Sequence, residues 1–348
     1  MKAIAYYQSL PIDHPEALQD VELPTPEPGP RDLLVEVRAI SVNPVDTKIR
    51  RNVQPDAGAA KVLGWDVAGV VRAVGSEVSL FAPGDKVYYA GSIARAGGNS
   101  ELHVVDERIV GHMPASLGFA EAAALPLTAI TAWELLFERL QISQAKDDMG
   151  QSLLIVGAAG GVGSILTQLA RQLTGLRVIG SASRPQTQAW VRELGAHEVV
   201  DHGQPLAAEL KAKGIDSVTH VASLTQTDQH LEQLVEALAP QGRLALIDDP
   251  QQLDVAKLKR KSLSLHWEFM YTRSLFETPD MIEQHKLLNR VAELIDSGVL
   301  KTTLGEHFGT INAANLRRAH ALLESGTAKG KIVLEGFQAV GHDRQSGD

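Results

Sequence analysis

The chain has 348 residues, no cysteine and a formal net charge of −9. Lysines and arginines are scattered along an acidic chain, which excludes the basic surface that nucleic-acid binding requires. The missing cysteines exclude disulfides, thiolate metal sites and cysteine nucleophiles. The N-terminus lacks the features of a signal peptide, and no run reaches the roughly 18 apolar residues of a membrane span. We therefore expect a cytoplasmic protein of two domains that binds neither nucleic acid nor membrane.

Up to about residue 110 the sequence predicts a compact, mostly antiparallel β domain. Short apolar runs are broken by proline and glycine, which is typical of short strands joined by turns. These runs are LLVEVRAISV (33–42), DVAGVVRAVG (66–75), DKVYYAG (85–91) and ELHVVDE (101–107).

From residue 151 to about residue 267 apolar strands alternate with amphipathic helices. Such alternation predicts a parallel sheet with helices on both faces. The strands are SLLIVG, RVIGSA, HEVVDH, DSVTHVAS and RLALID, and the helices are predicted at 165–173, around Val191 and at 229–238.

The last segment contains two predicted helices, 281–296 and 313–324, and a closing strand, KIVLEGF (331–337). These elements fit poorly as further layers of the parallel sheet, so we expect them to return to the β domain. The polar tail from residue 338 onwards is expected to be loose.

A glycine-rich turn, AAGGVG, follows the strand SLLIVG and opens a helix predicted to start near Ser164. In the dinucleotide fingerprint G-x-G-x-x-G, the glycines allow a tight turn, close approach of the pyrophosphate and packing of the helix on the strand. Gly160 and Gly163 fill the second and third places, and Ala158 stands at the first. Backbone N–H groups at the start of this helix would hold the pyrophosphate. The predicted cofactor-binding residues of the turn are Ala158, Gly160, Gly161, Val162 and Gly163.

The end of the second parallel strand, near Ala182, indicates which nicotinamide dinucleotide is bound. NAD enzymes usually place a carboxylate there for the ribose hydroxyls, but this chain has Ser183 and Arg184. A hydroxyl and a guanidinium would bind a 2′-phosphate, which a carboxylate would repel. NADPH is therefore favoured over NADH. The alternative is that Ser183 and Arg184 merely cap the following helix, with Pro185 in its first turn.

Several motifs together resemble the medium-chain dehydrogenase/reductase superfamily. Within it the chain looks like the quinone oxidoreductase branch, and more narrowly like the zinc-type alcohol dehydrogenase-like group. The motifs are AISVNPVDTKIR (39–50), LGWDVAGVV (63–71), PGDKVYY (83–89), AAALPLTAITAWELL (122–136), AAGGVG and GKIVLEGF (330–337).

This resemblance implies an α/β protein with a GroES-like, mostly β catalytic domain and a Rossmann domain with a doubly wound parallel sheet. The implied bounds are 1–125 for the catalytic domain, 126–272 for the Rossmann domain and 273–348 for a segment that returns to the catalytic domain. The active cleft would lie between the domains. Members of the branch are commonly dimers joined at the sheet edge, which here would be SLSLHWE (262–268).

The zinc ligands of zinc-bearing members have no counterparts here. Those members use a cysteine, a histidine followed by glutamate, and a second cysteine or an aspartate. This chain has Asn43 at the first place, Trp65 at the histidine and a stretch near Leu127 at the third. Indole and leucine do not bind zinc, and Asp66 and Asp46 without imidazole or thiolate make a poor zinc site. We predict that no metal is bound.

Without a metal, protein groups must stabilise the negative charge that hydride transfer to an enone or a quinone leaves on oxygen. The predicted catalytic residues are Asn43 as an amide donor, Lys48 as a cation or proton donor and Asp46 as a partner that orients Lys48 or the cofactor ribose. Simpler quinone reductases often carry tyrosine at the place of Lys48. Each residue has a structural alternative: Asn43 in a turn, Asp46 as a helix cap and Lys48 in solvent.

Three further residues are expected to line the cleft. Trp65 is interpreted as a wall of the substrate pocket. Thr128 and Thr131 resemble family residues of the nicotinamide pocket, although a buried helix would explain the apolar residues around them equally well.

These observations predict an NADPH-dependent oxidoreductase that transfers a hydride to a small quinone or α,β-unsaturated carbonyl compound without catalytic zinc, and that forms a homodimer. Two alternatives stay open. One is an alcohol dehydrogenase that still requires zinc. The other is a sensor or structural module that binds NADPH without turnover.

Overall fold

The chain folds into three β-sheets with helices around them, and the computed structural model describes residues 1–337. The strands are β1 (Lys2–Tyr6), β2 (Gln19–Glu22), β3 (Asp32–Val42), β4 (Lys61–Val62), β5 (Val67–Val74), β6 (Lys86–Tyr89), β7 (Leu102–Asp106), β8 (Val110–His112), β9 (Ser152–Val156), β10 (Arg177–Ser181), β11 (Glu198–Val200), β12 (Val218–Ser223), β13 (Leu238–Leu246), β14 (Ser264–Trp267), β15 (Leu304–His307) and β16 (Lys331–Glu335). The polar tail from residue 338, expected to be loose, lies outside the described residues.

The α-helices surround the sheets and connect them. They are α1 (Pro44–Asn52), α2 (Phe119–Ala123), α3 (Pro126–Trp133), α4 (Gly161–Leu173), α5 (Pro185–Glu193), α6 (Leu206–Ala212), α7 (Thr227–Ala237), α8 (Thr272–Leu275), α9 (Ile282–Asp296) and α10 (Ala313–Glu324). Two segments, Glu107–Ile109 and Val255–Lys261, are 3-10 helices, and Glu134–Arg139 continues α3 as a π-helix.

A seven-stranded, mostly antiparallel sheet forms the N-terminal domain, with the order β15-β16-β3-β5-β6-β8 and β7 also paired with β3. Strand β3 is its longest, and its side chains alternate between buried and half-exposed over the first six residues. The inward side chains join one large apolar core. A small sheet of β2, β1 and β4 flanks it.

A six-stranded parallel sheet forms the second domain, with the order β11-β10-β9-β12-β13-β14. Counted from β9, this is the strand order 3-2-1-4-5-6 of the Rossmann fold. Its central strands β9 and β12 are almost fully buried because helices cover both faces. The expected pairing of a mostly β domain with a doubly wound parallel sheet is confirmed.

The C-terminal segment completes the N-terminal sheet. Strand β16 pairs antiparallel with β3, with Ile332 opposite Val42, and β15 pairs with β16. Helix α10 packs against α1. The segment therefore returns to the first domain in space, while the domain bounds at residues 125 and 272 stay predictions.

The stretch Phe119–Arg139 is long and apolar enough to cross a membrane by length and composition, which the sequence inspection overlooked. Within the fold, 78% of its apolar window is buried. It comprises α2, α3 and the π-helical turn, and α3 packs against α4 and α9. A helix buried to this degree by the rest of the chain is typical of the core of a folded domain.

Candidate active site

A cleft of about 510 Å³ runs between the two domains. One wall is the turn after β9 and the other is formed by the start of α1, by α3 and by the segment after β14. The cleft lies at the carboxyl ends of β9 and β12, where the strand order reverses. Ligands of open α/β sheets bind at this switch point.

The glycine turn presents backbone N–H groups to the cleft that bond no acceptor within residues 1–337. Helix α4 begins at Gly161, three residues before the predicted start at Ser164, because the Ser164 N–H bonds the Gly160 carbonyl oxygen at 2.9 Å and closes the first turn. The N–H groups of Gly161, Val162 and Gly163 therefore precede the first intrahelical bond. Unpaired N–H groups and the helix dipole favour a bound anion.

The geometry explains two glycines of the turn and corrects the expectation for Ala158. Gly157 has φ +84°, so this residue makes the tight turn. A Cβ on Gly163 would lie 2.5 Å from the Gly157 carbonyl oxygen, so only glycine fits there. Ala158 is fully buried against the sheet and does not line the cleft.

Ser183 and Arg184 both line the cleft just beyond β10. The guanidinium of Arg184 donates to the Thr327 carbonyl oxygen at 2.8 Å, and its backbone N–H donates to Thr187 Oγ1 at 3.3 Å. Arg184 thus precedes Pro185 at the start of α5, as the capping alternative requires, while its side chain reaches the cleft. No carboxylate occupies these two positions.

A buried polar cluster of Asn43, Asp66 and Lys331 lies at the other end of the cleft. The Lys331 ammonium donates to the Val42 carbonyl oxygen at 2.8 Å and to Asn43 Oδ1, and it lies 3.3 Å from Asp66 Oδ2. Asn43 Nδ2 donates to Asp66 Oδ2 at 2.7 Å. Burial raises the pKa of Asp66 and lowers the pKa of Lys331, and their mutual attraction opposes both shifts.

The pairing of β16 with β3 assembles this cluster. Lys331 precedes Ile332, whose partner is Val42, and this register brings the ammonium beside Asn43. The lysine stem passes over the glycine turn, since a Cβ on Gly161 would lie 2.9 Å from Lys331 Cδ. The same side chain therefore contacts the predicted pyrophosphate turn and the predicted catalytic segment.

The structure corrects the interpretation of Asp46 as a partner of Lys48. The Asp46 carboxylate accepts the backbone N–H of Asn43 at 2.8 Å, which makes it part of the N-terminal cap of α1. Burial raises the pKa of Asp46 to about 7, although the Asn43 N–H and the charge of Lys331 lower it. Lys48 instead pairs with Asp249 at 2.7 Å.

The pair of Lys48 and Asp249 spans the mouth of the cleft. Lys48 belongs to α1 of the first domain, whereas Asp249 follows β13 of the second. Both residues line the cleft, and their side chains are 44% and 77% exposed. Solvent screening makes such a pair weak, so the ammonium is available to a bound ligand.

Thr128 and Thr131 line the cleft from α3. Their hydroxyls donate to the Leu125 and Leu127 carbonyl oxygens at 3.2 and 2.8 Å, which leaves their lone pairs as acceptors.

Trp65, in contrast, is 2% exposed within the core of the N-terminal domain and is not part of the cleft wall. The expectation that its indole lines the substrate pocket is corrected.

The residues at the zinc-ligand positions do not fit a zinc ion. Asn43 and Asp66 bind each other and the Lys331 ammonium, which already supplies the positive charge of the cluster. Leu127 contributes only its backbone N–H, which donates to Asp66 Oδ1 at 2.8 Å. Among residues 1–337 no group of three or more His, Cys, Asp or Glu side chains has the arrangement of a metal site.

Lys331 is the main site residue that sequence inspection missed. It stands inside the motif GKIVLEGF, and a lysine at the start of an otherwise apolar, buried strand is a usable signal, because lysine is rarely fully buried unless paired. Tyr271 and Asp249 also line the cleft and were missed. They follow the ends of β14 and β13, and nothing in their local sequence marks them.

Comparisons with known proteins agree with this architecture. Residues 29–133 match the model of the alcohol dehydrogenase GroES-like domain, and residues 194–334 match that of the zinc-binding dehydrogenase. A zinc-type alcohol dehydrogenase-like protein of Staphylococcus aureus is 39% identical over 336 residues, which cover 96% of this chain and 99% of the relative.

Two solved structures extend the comparison. A protein of Rhizobium etli, described as a candidate zinc-dependent alcohol dehydrogenase, is 56% identical with a TM-score of 0.94, and the match covers 97% of this chain and 99% of that one. The Escherichia coli quinone oxidoreductase, solved with NADPH, is 27% identical with a TM-score of 0.81 and coverage of 96% and 100%.

The fold and the cleft thus define an oxidoreductase of the two-domain dehydrogenase class. The chain belongs to the medium-chain dehydrogenase/reductase superfamily, within its quinone oxidoreductase branch, as the motifs of the sequence indicated.

Proposed function

We propose that this protein is an NADPH-dependent oxidoreductase that reduces a small quinone or α,β-unsaturated carbonyl compound without zinc. The proposal depends mainly on the path of the Lys331 side chain. Its stem contacts the glycine turn, and its ammonium lies among Asn43 and Asp66, the residues at the zinc-ligand positions, where it supplies the positive charge. A nicotinamide dinucleotide fits this cleft, with its pyrophosphate at Gly160–Gly163 and its nicotinamide beside Thr128 and Thr131.

The preference for NADPH is supported by the charge at the adenosine end of the cleft. The side chains of Ser183 and Arg184 offer a hydroxyl and a guanidinium for the 2′-phosphate. The E. coli relative was solved with NADPH, which agrees with this choice. Among residues 1–337 the Arg184 guanidinium bonds one backbone carbonyl oxygen, that of Thr327, so most of its N–H donors remain for a phosphate.

When bound, the reduced nicotinamide supplies a hydride, whose addition to the conjugated carbon of an enone moves an electron pair onto the carbonyl oxygen. The protein must therefore present positive charge or hydrogen-bond donors to that oxygen. Lys48 at the cleft mouth is the proposed cation. Asn43 holds the Lys331 ammonium and Asp66 in place, and Asp46 caps the start of α1, the helix that carries Lys48. Both are therefore positioning residues. Solvent then protonates the enolate carbon.

Lys48→Ala is expected to lower kcat/KM about tenfold, because the ammonium stabilises the developing oxyanion, which corresponds to about 1.4 kcal/mol. The Kd of NADPH and the Tm should stay close to the wild-type values, since the exposed pair with Asp249 contributes little to stability. Lys48→Arg keeps the charge and serves as the matched control. Steady-state kinetics of the three proteins provide the measurement, and unchanged kinetics of the alanine variant would remove Lys48 from the mechanism.

To test the proposed activity, the oxidation of NADPH is followed with each compound of a panel of quinones and enones as substrate, in the presence and absence of EDTA. We expect turnover of at least one compound, unaffected by the chelator, and less than stoichiometric zinc in the purified protein. Activity lost on chelation together with stoichiometric zinc would establish the zinc-dependent alcohol dehydrogenase instead. Tight binding of NADPH with no turnover across the panel would favour a sensor or structural module.

A homodimer in the cytoplasm completes the proposal. Strand β14 is an edge of the six-stranded sheet, so its outer backbone groups can pair with a second copy. Trp267 and Phe269 beside this edge are 51% and 47% exposed. Apolar side chains of this size beside the outer edge of β14, which no described strand pairs, favour association.

A further inference from the structure

The hydroxyl of Tyr271 is buried in the cleft wall without a hydrogen-bond partner. Tyr271 lines the cleft, follows the end of β14 by four residues and is 2% exposed. No described residue forms a hydrogen bond with its hydroxyl. Buried hydroxyls nearly always have a partner in native proteins, so an unpaired one in a ligand cleft calls for a ligand that completes it.

The protein holds this tyrosine firmly. Its backbone carbonyl oxygen accepts the Leu275 N–H at 2.8 Å and the Ser274 hydroxyl at 3.1 Å, which fixes it at the start of α8. Its ring packs edge-on against Phe269, with 5.5 Å between the centroids. An unpaired hydroxyl on a fixed ring is a preorganised donor, which loses little freedom when a ligand binds.

Burial, together with two nearby carboxylates, keeps the Tyr271 hydroxyl protonated. Burial raises the pKa of Tyr271 well above its ordinary value, and the charges of Asp46 and Asp66 raise it further. These carboxylates belong to the Lys331 end of the cleft, where the nicotinamide is proposed to bind. The Tyr271 hydroxyl therefore keeps its proton and is available as a hydrogen-bond donor.

Other polar groups of this wall are already engaged. The Thr128 and Thr131 hydroxyls donate to carbonyl oxygens of α3 and its N-cap, and the Asn43 amide donates to Asp66. Glu268 also has an unpaired oxygen, Oε1. Glu268 also lines the cleft, but its Oε2 accepts the Arg139 guanidinium at 2.8 Å and the residue interacts with Glu134.

We propose that the Tyr271 hydroxyl donates a hydrogen bond to the carbonyl oxygen of the substrate and stabilises the negative charge that develops there during hydride transfer. This inference rests on the proposed function and adds a catalytic residue to it. Tyr271 approaches that oxygen from the segment after β14, whereas Lys48 approaches the cleft from α1. Together the two residues supply a neutral donor and a cation to one oxygen.

Tyr271→Phe tests the proposal because it removes only the hydroxyl. We expect kcat/KM for the best enone or quinone to fall about 100-fold, as for the loss of one oxyanion donor, with the Kd of NADPH within twofold of the wild-type value. The Tm should stay the same or rise, since the variant removes an unpaired buried polar group.

Tyr88→Phe is the matched control. Tyr88 is equally buried, but its hydroxyl donates to the Leu288 carbonyl oxygen at 2.5 Å, away from the cleft. Its loss should lower the Tm and leave kcat/KM unchanged. A Tyr271→Phe protein with wild-type kcat/KM would overturn the proposal, and so would one that loses activity and thermal stability together, because that result indicates a structural role.

A second measurement does not depend on turnover. Cyclohex-2-enone is bound to the protein loaded with NADP⁺, which cannot deliver a hydride, and its carbonyl stretch is recorded by infrared spectroscopy. The band should lie at lower frequency in the wild type than in Tyr271→Phe. The same frequency in both overturns the role of Tyr271. A shifted band in a wild type that reduces no compound of the panel would support the hydrogen bond while disproving the proposed reductase.

Discussion

Lys331→Met is expected to lower the free energy of unfolding by about 3–5 kcal/mol, the usual cost of leaving a buried charge without its partner. The Asp66 side chain is fully buried, and it would keep two N–H donors but lose its only close cation among the described residues. Asn43 Oδ1 and the Val42 carbonyl oxygen would lose a donor as well. Urea denaturation of wild type and variant measures the difference.

Two further variants test whether the loss of stability comes from the buried Lys331–Asp66 pair or would follow the removal of any lysine. Lys211→Met removes an ammonium whose side chain is 60% exposed beside Glu236, and it should cost less than about 1 kcal/mol. Adding Asp66→Asn to Lys331→Met should recover at least half of the lost stability, because Asn43 can then turn its amide toward the new neutral partner. Equal costs for Lys331→Met and Lys211→Met would show that the buried pair contributes nothing.

Gly160→Ala is expected to weaken NADPH binding roughly 100-fold, about 2.7 kcal/mol, without destabilising the fold. The nearest atom to a new Cβ would be the Gly157 carbonyl oxygen at 3.6 Å, an ordinary contact, and φ of Gly160 is −73°. The methyl group would enter the cleft where the pyrophosphate must approach the backbone. Isothermal titration calorimetry with NADPH measures the affinity.

Gly163→Ala, three residues further on, is the contrasting variant. Its Cβ would lie 2.5 Å from the Gly157 carbonyl oxygen and 2.6 Å from two backbone atoms of Ala158, none of which can swing aside. We expect a loss of about 1–3 kcal/mol of stability from overpacking, together with lost binding. Wild-type affinity in Gly160→Ala would place the pyrophosphate elsewhere and contradict the proposed cofactor site.

Most elements of the fold followed from local patterns. The helix predicted at 313–324 coincides with α10, and the runs at 33–42 and 66–75 correspond to β3 and β5 within a residue. Hydrophobic periodicity suffices there because each element buries one face. The same patterns did not reveal α6 (Leu206–Ala212), a short helix of ordinary composition, or the early start of β13 at Leu238.

The sequence predicted those parts of the candidate site whose residues all lie in one short segment. The glycine turn depends on neighbouring residues, so Gly160 and Gly163 could be identified from their spacing. The pairs of Lys331 with Asp66 and of Lys48 with Asp249 join residues from separate domains or from distant parts of the chain. Their partners are decided by strand register and domain packing, which no local pattern contains.

The late position of β16 has a consequence for biosynthesis. Asn43 and Asp66 leave the ribosome long before Lys331. Until Lys331 is synthesised, the Asp66 carboxylate of the nascent first domain has no ammonium partner and stays solvated. That domain therefore cannot finish folding while the rest is being translated, unlike domains that fold in order of synthesis. A prematurely terminated product that lacks β16 would leave the buried Asp66 carboxylate without the Lys331 ammonium, and we expect it to stay incompletely folded.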